Sequence, residues 1–109
     1  MEEKRNLERK SPFYFLRVYD SCTRQMGGRI VNLSTEGMTL VCEEPVRENT
    51  ICKFRMILPE TISDRKQMTI EARCIWCKEE NDAISYRSGF KFIDLSPRNL
   101  ETIRDLCQT

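Results

Sequence analysis

Two groups of residues have the side-chain types and the spacing needed to bind a compact anionic ligand. The first group is Asn32, Ser34 and Gly37, which lie where one strand-like run ends and the next begins. Because successive side chains of a strand point to opposite faces, Asn32 and Ser34 share one face while Leu33 points into the expected core. Gly37 tolerates a positive φ or a close backbone approach. The pattern predicts an amide and a hydroxyl side by side, although the same residues are common at any hairpin turn.

The second group is Arg5 and Arg9, two arginines separated by three residues in a highly charged N-terminal stretch. A guanidinium is a permanently charged planar fork that fits phosphate oxygens and the acceptor pair on one edge of guanine. The two residues would lie roughly 13 Å apart in extended chain, but about 5 to 6 Å apart on one face of a helical turn. Arg5 and Arg9 can therefore bind the same compact ligand only if this stretch forms a compact turn. The alternative interpretation of the stretch is a solvated charged tail.

Together these groups resemble the motif of the PilZ domain family of bacterial cyclic di-GMP receptors, R-x-x-x-R followed by [DN]-x-S-x-x-G. Every defining position is filled, by Arg5, Arg9, Asn32, Ser34 and Gly37. The resemblance covers nearly the whole chain and implies binding of cyclic di-GMP as a ligand, with no cofactor. It also implies that the arginines contact guanine edges and phosphate oxygens and stack on the bases. Asn32 would then bind a guanine edge, Ser34 would bind a phosphate or base atom, and Gly37 would hold the turn.

The rest of the chain has the pattern of short strands joined by turns. Strand-like runs cover residues 13–19, 29–33, 38–42, 52–58, 68–78 and 84–93. Their spacing, without strand–helix–strand alternation, predicts a mainly β fold, a six-stranded antiparallel β-barrel. Alternation places these side chains on inward faces: Tyr14, Leu16, Val18, Cys52, Phe54, Met56, Leu58, Met68, Ile70, Ala72, Cys74 and Trp76. In the last run Tyr86, Phe90 and Phe92 share one face.

A C-terminal α-helix follows the last strand. Ser96 is suited to the N-cap and Pro97 to the first helical position. Apolar residues then recur at helical spacing, at Leu100, Ile103, Leu106 and Cys107. We expect one domain over 1–109, with a flexible arginine-bearing N-terminal arm over 1–10, the barrel over 11–95 and a helix over 96–107 that covers an open barrel end. The family resemblance implies the same barrel and helix.

Composition excludes several classes of function. The net charge is +1, from 18 Lys and Arg against 17 Asp and Glu, so no global field attracts DNA, RNA or anionic lipid. The chain has no histidine, which removes the commonest general base and metal ligand, and no compact set of carboxylates replaces it. We therefore expect a receptor and not an enzyme. No apolar run is long enough to span a bilayer, and the first residues lack a signal-peptide pattern, which predicts a cytoplasmic protein.

The six cysteines could indicate a disulfide framework or a zinc site, but their positions favour neither. Most stand singly in apolar strand-like runs, where a free cysteine behaves as a small hydrophobic residue. Cys74 and Cys77 have the spacing of a redox pair. They lie in an expected strand, however, where a separation of three places the two sulfurs on opposite faces. We expect free structural thiols and no bound metal.

Further residues could join the site. Arg29, Arg87 and Lys91 lie on outward faces, where solvated strand residues are the more frequent case. Trp76 falls on the alternating face of the core residues before it, which favours a place in the core or at a barrel end over stacking on a base. Lys4 directly precedes the first arginine and bears on whether one nucleotide or a stacked pair is bound. The sequence does not determine whether Lys4 favours one nucleotide or a stacked pair, and it does not determine the oligomeric state.

The favoured interpretation is a stand-alone receptor that orders its N-terminal arm on binding and passes the signal to a partner protein. It involves no nucleic acid and no membrane insertion. One alternative is a PilZ-like module that binds a partner protein without nucleotide. The other is a small barrel that binds single-stranded RNA or DNA, on a stacking face made by Phe13, Phe15 or Tyr19 with Arg17.

Overall fold

The computed structural model describes residues 17–20, 26–58, 65–80 and 84–108. In it the alternating apolar segments form strands, and the capped C-terminal segment forms a helix. The elements are β1 (Arg17–Asp20), β2 (Met26–Leu33), β3 (Gly37–Cys42), β4 (Ile51–Ile57), β5 (Gln67–Glu80), β6 (Ser85–Ile93) and α1 (Pro97–Cys107). The strands pair in the order β1-β2-β3-β6-β5-β4, and β4 pairs with β1 to close the barrel. All pairs are antiparallel. The predicted six-stranded antiparallel barrel with a C-terminal helix is confirmed.

Alternate residues of the strands fill the barrel interior. In the first half of β5, every second residue from Met68 to Cys74 is buried, and the residues between them are exposed. Phe54 of β4 and Phe90 of β6 meet edge to face, with ring centroids 5.2 Å apart, which is a favoured aromatic geometry. Neighbouring positions complete the core, among them Val18, Ile30, Leu40, Met56 and Phe92. The inward faces predicted from alternation are confirmed at Val18, Phe54 and Met56, and the predicted Tyr14 and Leu16 lie outside the described residues.

Helix α1 covers one end of the barrel. The hydroxyl of Ser96 accepts a hydrogen bond from the backbone N–H of Asn99 at 3.1 Å, as an N-cap does, and Pro97 follows at the first turn. Ile103 and Leu106 are fully buried in the common core, and burial of each side chain stabilises the fold by about 1.5 to 3 kcal/mol. The helix has 11 residues, and within the described residues no helix is long and apolar enough to cross a membrane.

The register shifts at three places among the described strands, and one of them lies between Val18 and Tyr19 where β1 pairs with β2. In β2 the register shifts between Ile30 and Asn32, so Ile30 and Leu33 are both buried while Asn32 is exposed. In β5 the register shifts between Cys74 and Trp76. A bulge adds one unpaired residue to a strand and therefore moves every later side chain to the opposite face.

The cysteines of β5 show the effect of the bulge in that strand. The Cys74 thiol lies 3.9 Å from the carbonyl oxygen of Val46, and the Cys77 sulfur accepts a hydrogen bond from the Val46 N–H at 3.4 Å. The two sulfurs therefore lie on one side of the strand, and the prediction that they occupy opposite faces is wrong, because the added residue turns Cys77 inward. All five cysteines in the described residues are free, and Cys22 lies outside them. Burial raises the pKa of the Cys42 thiol to about 11.

Candidate functional site

The turn between β2 and β3 is organised by the hydroxyl of Ser34. The Ser34 oxygen accepts hydrogen bonds from the backbone N–H groups of Glu36 and Gly37, at 3.2 and 3.3 Å. It also donates to the Gly37 carbonyl oxygen at 3.4 Å, and the Ser34 N–H donates to the same oxygen at 2.9 Å. Short polar side chains stabilise turns in this way. The hydroxyl is exposed and at the same time holds the shape of the turn.

Gly37 is required here by a close approach between backbones. It begins β3 opposite Lys91 of β6, and a Cβ atom at this position would overlap the carbonyl oxygen of Phe90. The neighbouring Glu36 carbonyl oxygen accepts a hydrogen bond from the Phe92 N–H at 2.9 Å. The turn is therefore held against β6. The sequence allows Gly37 either a positive φ or a close backbone approach, and the structure shows the close backbone approach.

A cleft of about 440 Å³ lies beside this turn on the outer side of the barrel. Its volume falls in the range of about 300 to 1,000 Å³ that is usual for small-molecule sites. Asn32, Ser34 and Gly37 line it together with Trp76 and Lys91. The three motif residues at the turn are thus brought to one cleft. The other two predicted site residues, the arginines of the N-terminal arm, lie outside the described residues.

The indole of Trp76 covers one part of the cleft. Trp76 is paired with Gly89 of β6, and a Cβ atom on Gly89 would overlap the indole ring. The ring therefore lies over the outer side of β6, half-buried. Of the two places that the sequence favours for Trp76, the core and a barrel end, the core is wrong. The bulge after Cys74 is the reason, since it moves Trp76 from the inward to the outward face. The sequence signal for this arrangement is Gly89, because an isolated glycine inside a strand often marks a close approach.

The charges around the cleft are few. Among its described lining residues, Glu36 and Lys91 carry charge. Arg29 is exposed on β2 and is not part of the lining. Arg87 donates a hydrogen bond to the Glu80 carboxylate at 2.6 Å, in a salt bridge away from the cleft. Of the three outward cations that the sequence offers, Lys91 therefore lines the cleft, whereas Arg29 and Arg87 do not.

The alternative stacking face is partly occupied. The guanidinium carbon of Arg55 lies 5.5 Å from the ring centroid of Tyr19, within the range of a cation–π contact. Arg17 is exposed beside it, and the two phenylalanines assigned to this face lie outside the described residues. No three His, Cys, Asp or Glu side chains in the described part of the chain are grouped so that they could hold a metal ion.

The fold and the site define a small closed β-barrel with a polar and aromatic cleft on its outer surface, beside a serine-ordered turn. The chain belongs to the PilZ domain family, whose model matches residues 3–109. The family resemblance stated from the motif is thereby confirmed.

Among solved structures, the chain is similar to the PilZ domain with c-di-GMP of YcgR from Escherichia coli, with a TM-score of 0.62 and 14% sequence identity. The match covers 84% of this chain and 76% of that chain. At this identity the likeness shows a shared fold. No curated protein matches the sequence.

Proposed function

We propose that this protein is a receptor that binds cyclic di-GMP in the cleft beside the serine-ordered turn. The observation that carries the proposal is that Asn32, Ser34 and Gly37 line one cleft together with Trp76. Membership of the PilZ family supports it, as does the similar barrel that is described with c-di-GMP. The nucleotide is the ligand, and the proposal requires no cofactor.

Cyclic di-GMP presents two guanines with hydrogen-bonding edges and two phosphates that each carry one negative charge. In the proposed complex Asn32 binds a guanine edge through its amide, and Trp76 stacks on a base. Stacking of a base on an aromatic side chain contributes about 1 to 3 kcal/mol. Arg5 and Arg9 bind guanine edges and phosphate oxygens through charge-assisted hydrogen bonds, which are stronger than neutral ones.

Ser34 has a second role in the proposal besides shaping the turn. Its hydroxyl donates to the Gly37 carbonyl oxygen at 3.4 Å, which is longer than the bonds it accepts at 3.2 and 3.3 Å. The donated bond is therefore the weakest of the three and the easiest to replace. On binding, the O–H turns to a phosphate or base oxygen of the ligand while the turn keeps both N–H bonds. Gly37 holds the turn close to β6 throughout.

The proposed output is a surface that forms when the ligand binds. Arg5 and Arg9 carry like charges and gain a dianionic partner, so binding docks residues 1–10 against the cleft. A downstream protein then recognises the docked arm and the neighbouring barrel surface. The protein acts as a receptor without a catalytic step. We place it in the cytoplasm, because a second messenger acts inside the cell that makes it.

Isothermal titration calorimetry with cyclic di-GMP tests the proposal, with GTP and cyclic di-AMP as competing nucleotides. We expect selective binding in the micromolar range or tighter, on the scale of about 8 kcal/mol or more. The protein contains one tryptophan, so quenching of its fluorescence on binding reports directly on Trp76. Equal binding of all three nucleotides, or no binding, would rule out a selective receptor.

The Arg9→Ala variant separates a ligand contact from a structural role. We expect it to lose measurable binding, because a charge-assisted contact to the dianion is removed. The Tm of the free protein should remain almost unchanged. A large fall in that Tm would instead assign the arginine to the stability of the fold.

A further inference from the structure

Two cations face each other across β5 and β6, and one of them lines the cleft. Lys91 of β6 and Arg73 of β5 are directly opposite in the antiparallel ladder, and both side chains are exposed. Neither side chain forms a hydrogen bond or an ion pair with another described residue. Like charges placed directly opposite on one face of a sheet destabilise it. The fold therefore carries a local electrostatic cost at this position.

A second pair on the same two strands shows how such a cost is otherwise removed. Lys78 of β5 lies opposite Arg87 of β6, again with like charges in register. There the Glu80 carboxylate accepts from Arg87 at 2.6 Å and supplies the missing negative charge. Among the described residues no carboxylate forms such a salt bridge with the pair at Lys91, although Glu71 stands two residues from Arg73 on the same face of β5.

The position of Lys91 indicates where the missing anion would lie. Lys91 lines the cleft, and it is in register with Gly37 of the motif turn on one side and with Arg73 on the other. Gly37 has no side chain that could separate the lysine from the cleft beside the turn. Glu36 is the other charged lining residue described. It offsets Lys91, so Arg73 supplies the surplus positive charge that an anionic ligand needs.

We propose that Lys91 and Arg73 form an anion subsite of the cleft that binds a phosphodiester of the nucleotide. Lys91 makes the direct contact through its ammonium group, and Arg73 strengthens the field from the neighbouring strand. The inference rests on the proposed function and adds two ligand-binding residues from β5 and β6 to the motif. The phosphodiester neutralises the Lys91 and Arg73 pair, just as the Glu80 carboxylate neutralises the pair formed by Arg87 and Lys78.

The test compares Lys91→Gln, Arg73→Gln and the control Lys78→Gln by calorimetry with cyclic di-GMP at low and high salt. Lys78→Gln removes a cation from the same strands but away from the cleft. We expect Lys91→Gln to weaken binding by about tenfold to a hundredfold, the usual effect of losing a hydrogen bond to a charged group. Arg73→Gln should weaken it by about threefold, since its charge acts through partly screened space. Both should reduce the salt dependence of affinity, and Lys78→Gln should change neither quantity.

Two further measurements distinguish ligand binding from structural effects. Lys91→Arg should restore most of the affinity, because it keeps the charge. The Tm of the free Lys91→Gln and Arg73→Gln proteins should equal or exceed that of the wild type, since each removes a repulsion. A fall in Tm that matches the loss of binding would overturn the inference in favour of a structural role.

The outcomes also separate this inference from the proposed function. If the wild-type protein binds cyclic di-GMP and both glutamine variants bind it equally well, the subsite is wrong while the receptor stands. Such a result would assign the cation pair to another partner, for example an acidic protein surface. If the wild-type protein does not bind the nucleotide at all, the proposed function fails and the inference fails with it.

Discussion

Both halves of β5 pair with β6, but the first half alone also pairs with β4, and the two halves contribute to different parts of the molecule. From residue 67 to 74 the strand alternates strictly, and every second side chain enters the barrel core. From residue 75 to 80 the alternation is lost, because the bulge shifts the register against β6. Ile75 is exposed and Trp76 lies over Gly89 at the cleft. One added residue thus turns a core strand into a wall of the cleft without ending the strand.

If the proposed function holds, the two halves separate stability from binding within one strand. The first half contributes buried apolar surface, and its free energy does not depend on the ligand. The second half exposes an isoleucine and an indole, which lowers its contribution to the core but leaves an aromatic face for a base. Substitutions in the first half should therefore change the free energy of unfolding, and substitutions in the second half should change affinity.

Ile70→Ala should have the largest effect on stability. Ile70 is buried in the first half of β5, and truncation of such a side chain costs about 2 to 5 kcal/mol through lost burial and a cavity. Urea denaturation measures the loss, and calorimetry on the folded variant should find the nucleotide affinity nearly unchanged. Ile57→Ala is the matched control, since Ile57 is 40% exposed on the adjacent strand. It should change stability by no more than about 0.5 kcal/mol.

Trp76→Ala should reverse this pattern. We expect it to weaken binding of cyclic di-GMP by about 1 to 3 kcal/mol, through the lost stacking surface. The free energy of unfolding should fall by much less than in Ile70→Ala, and Trp76→Phe should retain part of the affinity. If Trp76→Ala destabilises the protein as strongly as Ile70→Ala does, the two halves of β5 do not differ in the way we describe.

Gly89→Ala tests the support beneath the indole. The added Cβ would overlap the Trp76 ring, so the ring must move, and overpacking of this kind costs about 1 to 3 kcal/mol. We expect weaker binding and a smaller quenching of tryptophan fluorescence by the nucleotide. In the Trp76→Ala background the same change should have little further effect, because residues in contact are coupled. Additive losses in the double variant would contradict the contact between the two residues.

The smallest predicted effect is a pH dependence of stability that arises from Cys42. This residue lies near Cys77, which the bulge turns to the inner side of β5. Burial, and to a lesser degree the nearby Cys77, raises the pKa of Cys42 to about 11 from 9.0. The folded state holds this proton more tightly than the unfolded state, so its contribution to stability is complete below pH 9 and is lost as the pH rises through 11. Between pH 8 and 10 the loss should be about 1 kcal/mol.

Urea denaturation of the wild type and of Cys42→Ala at both pH values measures this contribution. Cys42→Ala is less stable at pH 8 because a buried group is removed. Its further loss on going to pH 10 should be smaller than that of the wild type by about the stated amount. Equal losses would show that the Cys42 thiol does not titrate differently in the folded and unfolded states.

Features that depend only on neighbouring residues follow directly from the amino-acid sequence. Alternation in β4 and the first half of β5 placed Phe54, Met56 and Ile70 in the core, because side chains of a regular strand change face at every residue. The helix start at Ser96 is equally local, since its cap involves residues three positions apart. The motif turn belongs to the same class, because Ser34 bonds to groups within three residues. Arg5 and Arg9 stay predictions from the motif.

Only the tertiary structure decided which face the side chains after Cys74 occupy. A bulge is a property of two paired strands, so the register of β5 against β6 placed Trp76 outside and Cys77 inside. The contact of Gly37 with Phe90 and the position of Lys91 at the cleft depend on the pairing of β3 with β6, which lie far apart in the chain. Alternation along one strand carries no information about where its partner shifts. The cleft therefore could not be predicted from the sequence, because its walls come from strands that are brought together only in the closed barrel.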